Sequence, residues 1–240
     1  MDTLSSYLDG TAFSDSYWYN PALTADELKF RLRDDLLCEL VQGKTICHIG
    51  CTDHIPLIEQ KIRNNQWLHA KLSKIATYCI GIDIDQEAIA KVNQLGFDNV
   101  VYYDVYQAST RQGVDDVSFD YILIPEVIEH IDDPIRFLQQ VQLKLNKSRT
   151  AATVISVPNA FRLPNFVKAL SNIEPVNTDH RYWFTPYTLR KITFLAGLRQ
   201  DKLFMVNNGN EPGISGWGKQ QIAKRFPFLR NSLVSVTTAA

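Results

Sequence analysis

Five short apolar runs, separated by stretches with helical spacing, constrain the fold of this chain more than any other feature of its sequence. Each run has the length and composition of a strand that is buried on both faces of a sheet. The runs cover residues 44–49, 78–84, 99–105, 119–124 and 152–157. Parallel strands need a crossover connection between them, usually a helix. The alternation therefore predicts an α/β fold with a doubly wound sheet.

Apolar residues spaced three and four apart predict the helices between and around these strands. The first begins at Thr24, and Glu27 three residues later completes the pattern of a capping box. The predicted helices cover residues 24–40, 56–75, 86–95, 133–145, 164–170, 186–198 and 220–225. Two further strands are predicted near the end of the chain, at residues 201–206 and 233–238. We expect a single domain over residues 23–240, preceded by an irregular aromatic arm or lid over residues 1–22.

The amino-acid composition indicates a globular protein without a membrane span. Hydrophobic residues make up 45% of the chain and charged residues 21%, which is typical of a globular protein. No apolar run reaches the roughly 18 residues that span a bilayer, and the first residues do not resemble a signal peptide. These observations predict a cytoplasmic protein without a membrane span. Residues 181–240 hold nine Lys and Arg against two acidic residues, which would suit a phosphate-bearing acceptor or a solvated surface.

The Cys and His residues of the first strand region invite a comparison with zinc sites. Cys47, His48, Cys51 and His54 lie close together in the sequence. However, no second Cys/His pair follows at the distance typical of zinc fingers, and residues 47–49 alternate as a strand. We therefore expect these residues to be structural and the cysteines to be reduced.

In a doubly wound sheet, ligands bind at the carboxyl ends of the strands. Gly50 follows the first predicted strand, where a turn without a side chain would let a ligand approach the backbone. Asp83 lies at the end of the second strand, where its carboxylate could accept both hydroxyls of a ribose. Alternatively, Asp83 and Asp85 cap the next helix. Asp104 lies at the end of the third strand, where it could bind a ligand or, equally, cap a loop.

The segment at residues 119–130, Phe-Asp-Tyr-Ile-Leu-Ile-Pro-Glu-Val-Ile-Glu-His, combines a buried strand with three polar side chains. If Glu126 opens a helix, then Glu126, Glu129 and His130 share one helix face. His130 could act as a general base, because an imidazole titrates near neutral pH. The same groups could instead bind a divalent metal, with His180 as a fourth ligand, or simply pair with neighbouring residues.

Taken together, these segments resemble class I S-adenosylmethionine-dependent methyltransferases, in the branch of type 11, 12 and 23 domains that carries a Glu-x-x-Glu-His motif. Residues 154–159 and 185–198 add to the resemblance. The pairing of this motif with a later histidine is similar to metal-dependent O-methyltransferases of ubiquinone synthesis and of small-RNA 3′ ends. The resemblance implies a Rossmann-like fold of seven strands, with helices on both faces and a C-terminal antiparallel hairpin.

The resemblance also implies which residues form the site. In the family's first motif an acid precedes a glycine-rich turn, whereas this chain has His48 before Gly50 and Thr52 and His54 where further glycines are usual. The expected catalytic residues are Glu129, His130 and His180. The residues expected to bind S-adenosylmethionine are Gly50, Cys51, Thr52, Asp83, Ile84, Asp104, Val105, Pro125 and Glu126.

The resemblance predicts methyl transfer to a hydroxyl of a small molecule, a sugar or a glycan precursor. A metal-dependent RNA 2′-O-methyltransferase is an alternative, although the sequence shows no appended RNA-binding module and no dense basic stripe. A second alternative is a non-catalytic binding protein, because the glycines around Gly50 are lost. A dinucleotide-dependent oxidoreductase is disfavoured by the absence of Gly-x-Gly-x-x-Gly.

Overall fold

The computed structural model describes residues 3–107, 110–209 and 213–240, which form a seven-stranded mixed sheet covered by helices. The strands are β1 (Thr45–Ile49), β2 (Tyr78–Asp83), β3 (Val100–Tyr102), β4 (Tyr121–Pro125), β5 (Ala152–Pro158), β6 (Leu198–Val206) and β7 (Ser232–Ala239). The α-helices are α1 (Thr3–Asp9), α2 (Ala25–Leu28), α3 (Arg33–Val41), α4 (Ile55–Arg63), α5 (Leu68–Ile75), α6 (Gln86–Gln94), α7 (Pro134–Leu145), α8 (Leu163–Ala169), α9 (Pro186–Leu195) and α10 (Gly213–Arg225). Short 3-10 helices cover Ile128–His130 and Pro227–Leu229.

The strand order is β3-β2-β1-β4-β5-β7-β6, so the topology reverses between β1 and β4. The first five strands are parallel, whereas β7 runs antiparallel between β5 and β6. This arrangement confirms the predicted α/β fold and its C-terminal antiparallel hairpin. The carboxyl ends of β1, β2 and β4 meet at one edge of the sheet, where open α/β sheets bind ligands.

Alternate residues of the central strands fill separate apolar cores on the two sides of the sheet. Cys47 and Ile124 contribute to the larger core, which also includes residues of α7 and α9. Ile46 and Leu123 face the opposite core, with residues of α3 and α5. This alternation follows from the two-residue period of a strand. It confirms that helices cover both faces.

Two of the long helices predicted from the sequence are each divided in the structure. Residues 29–32 leave the helical path because the backbone pairs with Asn207: Asn207 N donates to Arg31 O at 3.1 Å and Arg33 N donates to Asn207 O at 2.7 Å. The predicted helix 24–40 is therefore α2 and α3. Similarly, Asn65 has a φ of 52° and separates α4 from α5. Gly197, with a φ of 80°, ends the turn after α9, so β6 begins at Leu198 and not at residue 201.

The N-terminal arm packs on α9. It contains a helix, α1, which the sequence did not predict, and Leu8 of this helix is buried. Tyr19 forms an edge-to-face contact with Tyr187, and the Tyr187 hydroxyl donates to Tyr7 O at 3.3 Å. Residues 1 and 2 lie outside the described residues.

Among the described residues, none of the helices combines the length and the apolar character needed to cross a bilayer.

Candidate functional site

A cleft of about 660 Å³ lies at the carboxyl edge of the sheet. Residues of the loops after β1, β2 and β4 form one part of its lining, and the segment around residues 175–183 forms another. Eight of the expected catalytic and cofactor-binding residues line this cleft: Gly50, Cys51, Thr52, Asp83, Pro125, Glu126, His130 and His180. Glu129 is buried directly beside it.

The turn after β1 needs glycine at position 50 for a reason within the protein. Gly50 has a φ of 66°, which L side chains rarely adopt, and a Cβ there would overlap Cγ2 of Val127. The turn therefore packs directly against the segment that follows β4. This close approach explains the glycine at position 50.

Asp83 is held by four hydrogen bonds from the protein itself. Its Oδ2 accepts from the Thr52 amide at 3.0 Å and from the Thr52 hydroxyl at 2.7 Å. Its Oδ1 accepts from the amides of Ile84 at 2.7 Å and Asp85 at 3.1 Å. A carboxylate offers about four acceptor positions. A ribose at this carboxylate would therefore have to exchange with the Thr52 hydroxyl or share the position with it.

Three of the expected cofactor residues do not line the cleft. Ile84 is exposed, and Val105 is buried in the larger core. The Asp104 carboxylate accepts from the Tyr106 amide at 2.9 Å and from the Gln107 side-chain amide at 3.2 Å, which is the loop-capping role considered from the sequence. Asp85, which does line the cleft, caps α6 through the Ala88 amide.

The segment after β4 is a turn and not the start of a helix, so the prediction of a shared helix face is wrong. Glu126 has a φ of 54°, and only Ile128–His130 forms a short 3-10 helix. Glu126 therefore does not join the cluster that Glu129 and His130 form with His180. The Glu126 carboxylate instead accepts from the Ser156 hydroxyl at 3.1 Å and faces Nη1 of Arg33 at 3.5 Å.

Arg33 lines the cleft beside Glu126, and the sequence analysis did not single it out. Burial alone would lower the pKa of its guanidinium, but the carboxylates of Glu126 and Asp34 outweigh this effect and raise it. Arg33 therefore stays charged. Arg33 carries no local sequence signal, because it reaches the cleft in a part of the chain that pairs with the distant Asn207.

Glu129 is completely buried, and neither of its carboxylate oxygens has a hydrogen-bond partner among the described residues. Burial, together with the nearby charge of Glu126, raises the pKa of Glu129 to about 9. A buried carboxyl without a partner is costly and rare in native proteins. Such an orphaned group points to a proton or a cation that completes its coordination.

Two imidazoles lie beside Glu129. His130 Nδ1 is 3.1 Å from the Asp179 carbonyl, which can only accept, so Nδ1 carries the proton and the Nε2 lone pair is available. The His180 ring contacts the His130 ring edge to face at 4.7 Å. Burial and the neighbouring His130 lower the pKa of His180. The Arg181 amide donates to Glu129 O at 2.8 Å and fixes this loop against the 3-10 helix.

Glu129, His130 and His180 thus converge, and their potential ligand atoms lie within 4.8 Å of one another. It is the one cluster of this kind among the residues that the structure describes, and Cys47, His48, Cys51 and His54 form none there. The chemistry of the set suits a divalent metal, since carboxylate and imidazole are common ligands of such ions. Of the four ligands considered from the sequence, Glu126 does not belong to the cluster.

His48 lies at the base of the cleft and contacts a second buried histidine from α5. His48 Nδ1 is 3.2 Å from His69 Nδ1. Burial lowers the pKa of His48 well below its ordinary value and that of His69 to about 4, so both rings are neutral. The position where the resemblance implies an acid is therefore uncharged in this chain.

Comparison with known proteins relates this fold and site to a family. A family model described as a methyltransferase domain matches residues 22–203. No curated protein sequence matches the chain.

Several solved structures share the fold. Magnesium protoporphyrin IX methyltransferase from Synechocystis PCC 6803, solved with bound S-adenosylhomocysteine, has a TM-score of 0.52 and 13% identity over 86% of this chain and 82% of that chain. A SAM-dependent methyltransferase from Archaeoglobus fulgidus has a TM-score of 0.51 and 17% identity over 85% and 94%. The small RNA methyltransferase HEN1 has a TM-score of 0.54 and 15% identity, and covers 95% of this chain but only 26% of HEN1.

Proposed function

This chain belongs to the methyltransferase-domain family and is an S-adenosylmethionine-dependent methyltransferase, and from that premise we propose that it methylates a hydroxyl group of a small-molecule, sugar or glycan-precursor acceptor. One observation carries the proposal: Glu129, His130 and His180 converge beside the cleft with ligand atoms within 4.8 Å. This set can bind a hydroxyl and remove its proton.

We assign the cofactor to the part of the cleft between Asp83 and Glu126. Asp83 accepts the ribose hydroxyls, with the Thr52 hydroxyl giving way or serving as an additional partner. The Arg33–Glu126 ion pair, separated by 3.5 Å, presents one charge of each sign. These charges match the carboxylate and the ammonium of the methionine moiety, so Arg33 and Glu126 take over the role of the acid that His48 replaces.

The cofactor supplies an activated methyl group on a sulfonium sulfur. Transfer breaks the sulfur–methyl bond, forms an oxygen–methyl bond and releases the proton of the acceptor hydroxyl. The chain must therefore hold the acceptor in line with the donor and take up that proton. The Nε2 lone pair of His130 is oriented for this step by the Asp179 carbonyl.

As an alternative use of the same side chains, we propose that Glu129, His130 and His180 hold a divalent transition metal, in which case the Nε2 lone pair of His130 binds the ion and does not take up the proton. The orphaned carboxylate of Glu129 fits this group, because a cation would satisfy oxygens that no described residue satisfies. A metal there would lower the pKa of a bound hydroxyl. Two imidazoles and one carboxylate favour Mn²⁺, Co²⁺ or Zn²⁺ over Mg²⁺, which prefers oxygen ligands.

Calorimetric titration of the metal-free protein with Mn²⁺ tests the metal assignment. We expect one ion per chain, and at least tenfold weaker binding in Glu129→Gln and His180→Gln, since each loses one of three ligands. His54→Asn is the matched control because this histidine lines the same cleft outside the cluster. Equal binding in all four proteins, or none in any, contradicts the assignment.

Methyl transfer to panels of hydroxyl-bearing and amine-bearing small molecules tests the acceptor class. We expect an ether product and its loss in His130→Ala. Transfer to amines alone overturns the hydroxyl proposal, and failure of S-adenosylhomocysteine to bind at millimolar concentration would overturn the assigned cofactor site as a whole.

A further inference from the structure

Helix α8 leaves an apolar surface uncovered beside the cleft. No side chain of α8 is buried, although its sequence is largely apolar. Phe166 is 56% exposed and Leu170, directly after the helix, is 73% exposed. Phe161, before the helix, and Ile173, after it, are also exposed. An uncovered set of this kind usually marks an interaction site.

A second exposed apolar segment meets the region before α8 at the same edge of the sheet. It consists of α10 and the 3-10 helix Pro227–Leu229, where Trp217 is 63% and Phe226 is 53% exposed. The side-chain amide of Asn159, at the end of β5, donates to Phe228 O and to Arg230 O, both at 2.8 Å. These bonds hold the residue that precedes the first segment against the end of the second. We call the two segments together the α8–α10 face.

The two segments of the α8–α10 face contain cations and no acidic residues. Residues 159–173 and 213–240 contain no Asp or Glu, and the next acid along the chain from α8 is Glu174. The cations that accompany the exposed apolar side chains are Arg162, Lys168, Lys219, Lys224 and Arg225. Basic residues beside exposed aromatic and aliphatic side chains are typical of segments that lie in a bilayer interface.

We propose that the α8–α10 face binds the surface of a membrane that contains anionic phospholipids. The apolar side chains enter the interface while the cations contact the lipid phosphates. A single-stranded RNA is the less suitable partner, because the aliphatic side chains Leu170, Ile173 and Ile222 are exposed among the aromatic ones and cannot stack on bases. Since Arg162 also lines the cleft, docking brings the cleft close to the bilayer surface.

Co-sedimentation with vesicles tests this proposal without cofactor or acceptor. We expect at least about tenfold more protein bound to vesicles of phosphatidylcholine with phosphatidylglycerol than to phosphatidylcholine alone, because each cation near the surface contributes about 1 kcal/mol. High salt should reduce the difference. No binding to either vesicle, or equal binding to both, overturns the proposal.

Two variants locate the binding surface. Phe166→Ser with Leu170→Ser removes apolar contacts, and Lys168→Glu with Lys224→Glu reverses charges, so each should reduce vesicle binding at least about tenfold. The control is Leu143→Ser on α7, which is 65% exposed but lies outside the face. Loss in the control alone, or undiminished binding in both variants, overturns the assignment to this face.

Two further measurements separate the outcomes. A fluorescent single-stranded RNA that binds the protein while vesicles do not would overturn the lipid assignment. S-adenosylhomocysteine affinity, measured on every variant, should equal that of the unsubstituted chain. This control distinguishes a variant that no longer binds lipid from a variant that no longer folds. It also separates failure of lipid binding from failure of the proposed methyl transfer.

Discussion

At the scale of single residues, Glu129 dominates the chemistry of the cleft. Its carboxyl is completely buried and has no hydrogen-bond partner among the described residues. An exposed carboxylate could accept hydrogen bonds from bulk water, whereas this buried one calls for a proton or a cation. Its two imidazole neighbours make the same position able to hold a metal or to accept a proton.

Asp83 and Asp104 form a matched pair for a binding experiment. Asp83 ends β2 and Asp104 lies two residues after β3, but of the two only Asp83 lines the cleft. Asp83→Asn keeps one side-chain oxygen that can accept hydrogen bonds within the turn, but it removes the negative charge. We expect this variant to bind S-adenosylhomocysteine about tenfold more weakly or worse, because hydrogen bonds to charged groups contribute about 1.5–3 kcal/mol. Asp104→Asn should bind as the unsubstituted chain does. Isothermal titration measures both, and equal losses would contradict the placement of the ribose at Asp83.

Arg33 can be tested with two ligands that differ only in the amino-acid part. Arg33→Gln should weaken S-adenosylhomocysteine about tenfold or more and leave 5′-methylthioadenosine unchanged, since the latter lacks the carboxylate that Arg33 would bind. Arg162→Gln removes another cation from the cleft lining and serves as the control. Similar losses for both ligands would show that Arg33 acts on the fold and not on the methionine moiety.

At the scale of elements, the two turns after β1 and β4 depend on each other. Gly50 packs against Val127, and Glu126 adopts a positive φ in the same contact region. Strain of this kind is tolerated at functional sites when the surroundings determine the conformation. The mutual packing of these turns sets the distance between the Asp83 and Glu126 sides of the cleft.

Gly50→Ala should destabilise the protein by about 2–4 kcal/mol, because it combines the cost of a left-handed alanine with overpacking against Val127. Gly43→Ala is the control, since Gly43 has a φ of 69° but open space around its Cβ position. It should cost only about 1–2 kcal/mol. Urea unfolding gives both values. Adding Val127→Ala should recover part of the Gly50→Ala loss, and equal costs for the two glycines would refute the packing explanation.

At the scale of the whole molecule, the buried histidines His48 and His69 make the stability of the fold depend on pH. Burial lowers the pKa of His69 to about 4, whereas an unfolded histidine titrates near 6.5. Between these values the unfolded chain binds more protons than the folded chain, so the free energy of unfolding decreases as the pH falls.

His69→Asn should make this decrease smaller by about 3 kcal/mol between pH 6.5 and pH 4, because the variant has no imidazole to protonate at that position. His54→Asn replaces an exposed histidine and should retain the full pH dependence. Urea unfolding at several pH values measures the difference. An unchanged pH dependence in His69→Asn would contradict a neutral buried ring.

The order of strands and helices could be predicted from the sequence because hydrophobic period and buried-strand composition are local properties of the chain. All seven strands occur near their predicted positions, and Gly50, Asp83 and Glu126 were recognised because they follow strands. Local patterns failed at residues 29–32 and 126–130. There, pairing with Asn207 and packing under Gly50 outweigh helical preference.

The membership in a methyltransferase family and the strand-end residues were thus determined by the sequence alone. The tertiary structure decided that Glu126 pairs with Arg33, that Asp104 caps a loop, and that Glu129, His130 and His180 converge. The reason is physical: burial and charge pairing depend on which distant segments meet. Arg33 lies 93 residues before Glu126 and His180 lies 51 residues after Glu129, so periodicity within a short window cannot report that these side chains meet.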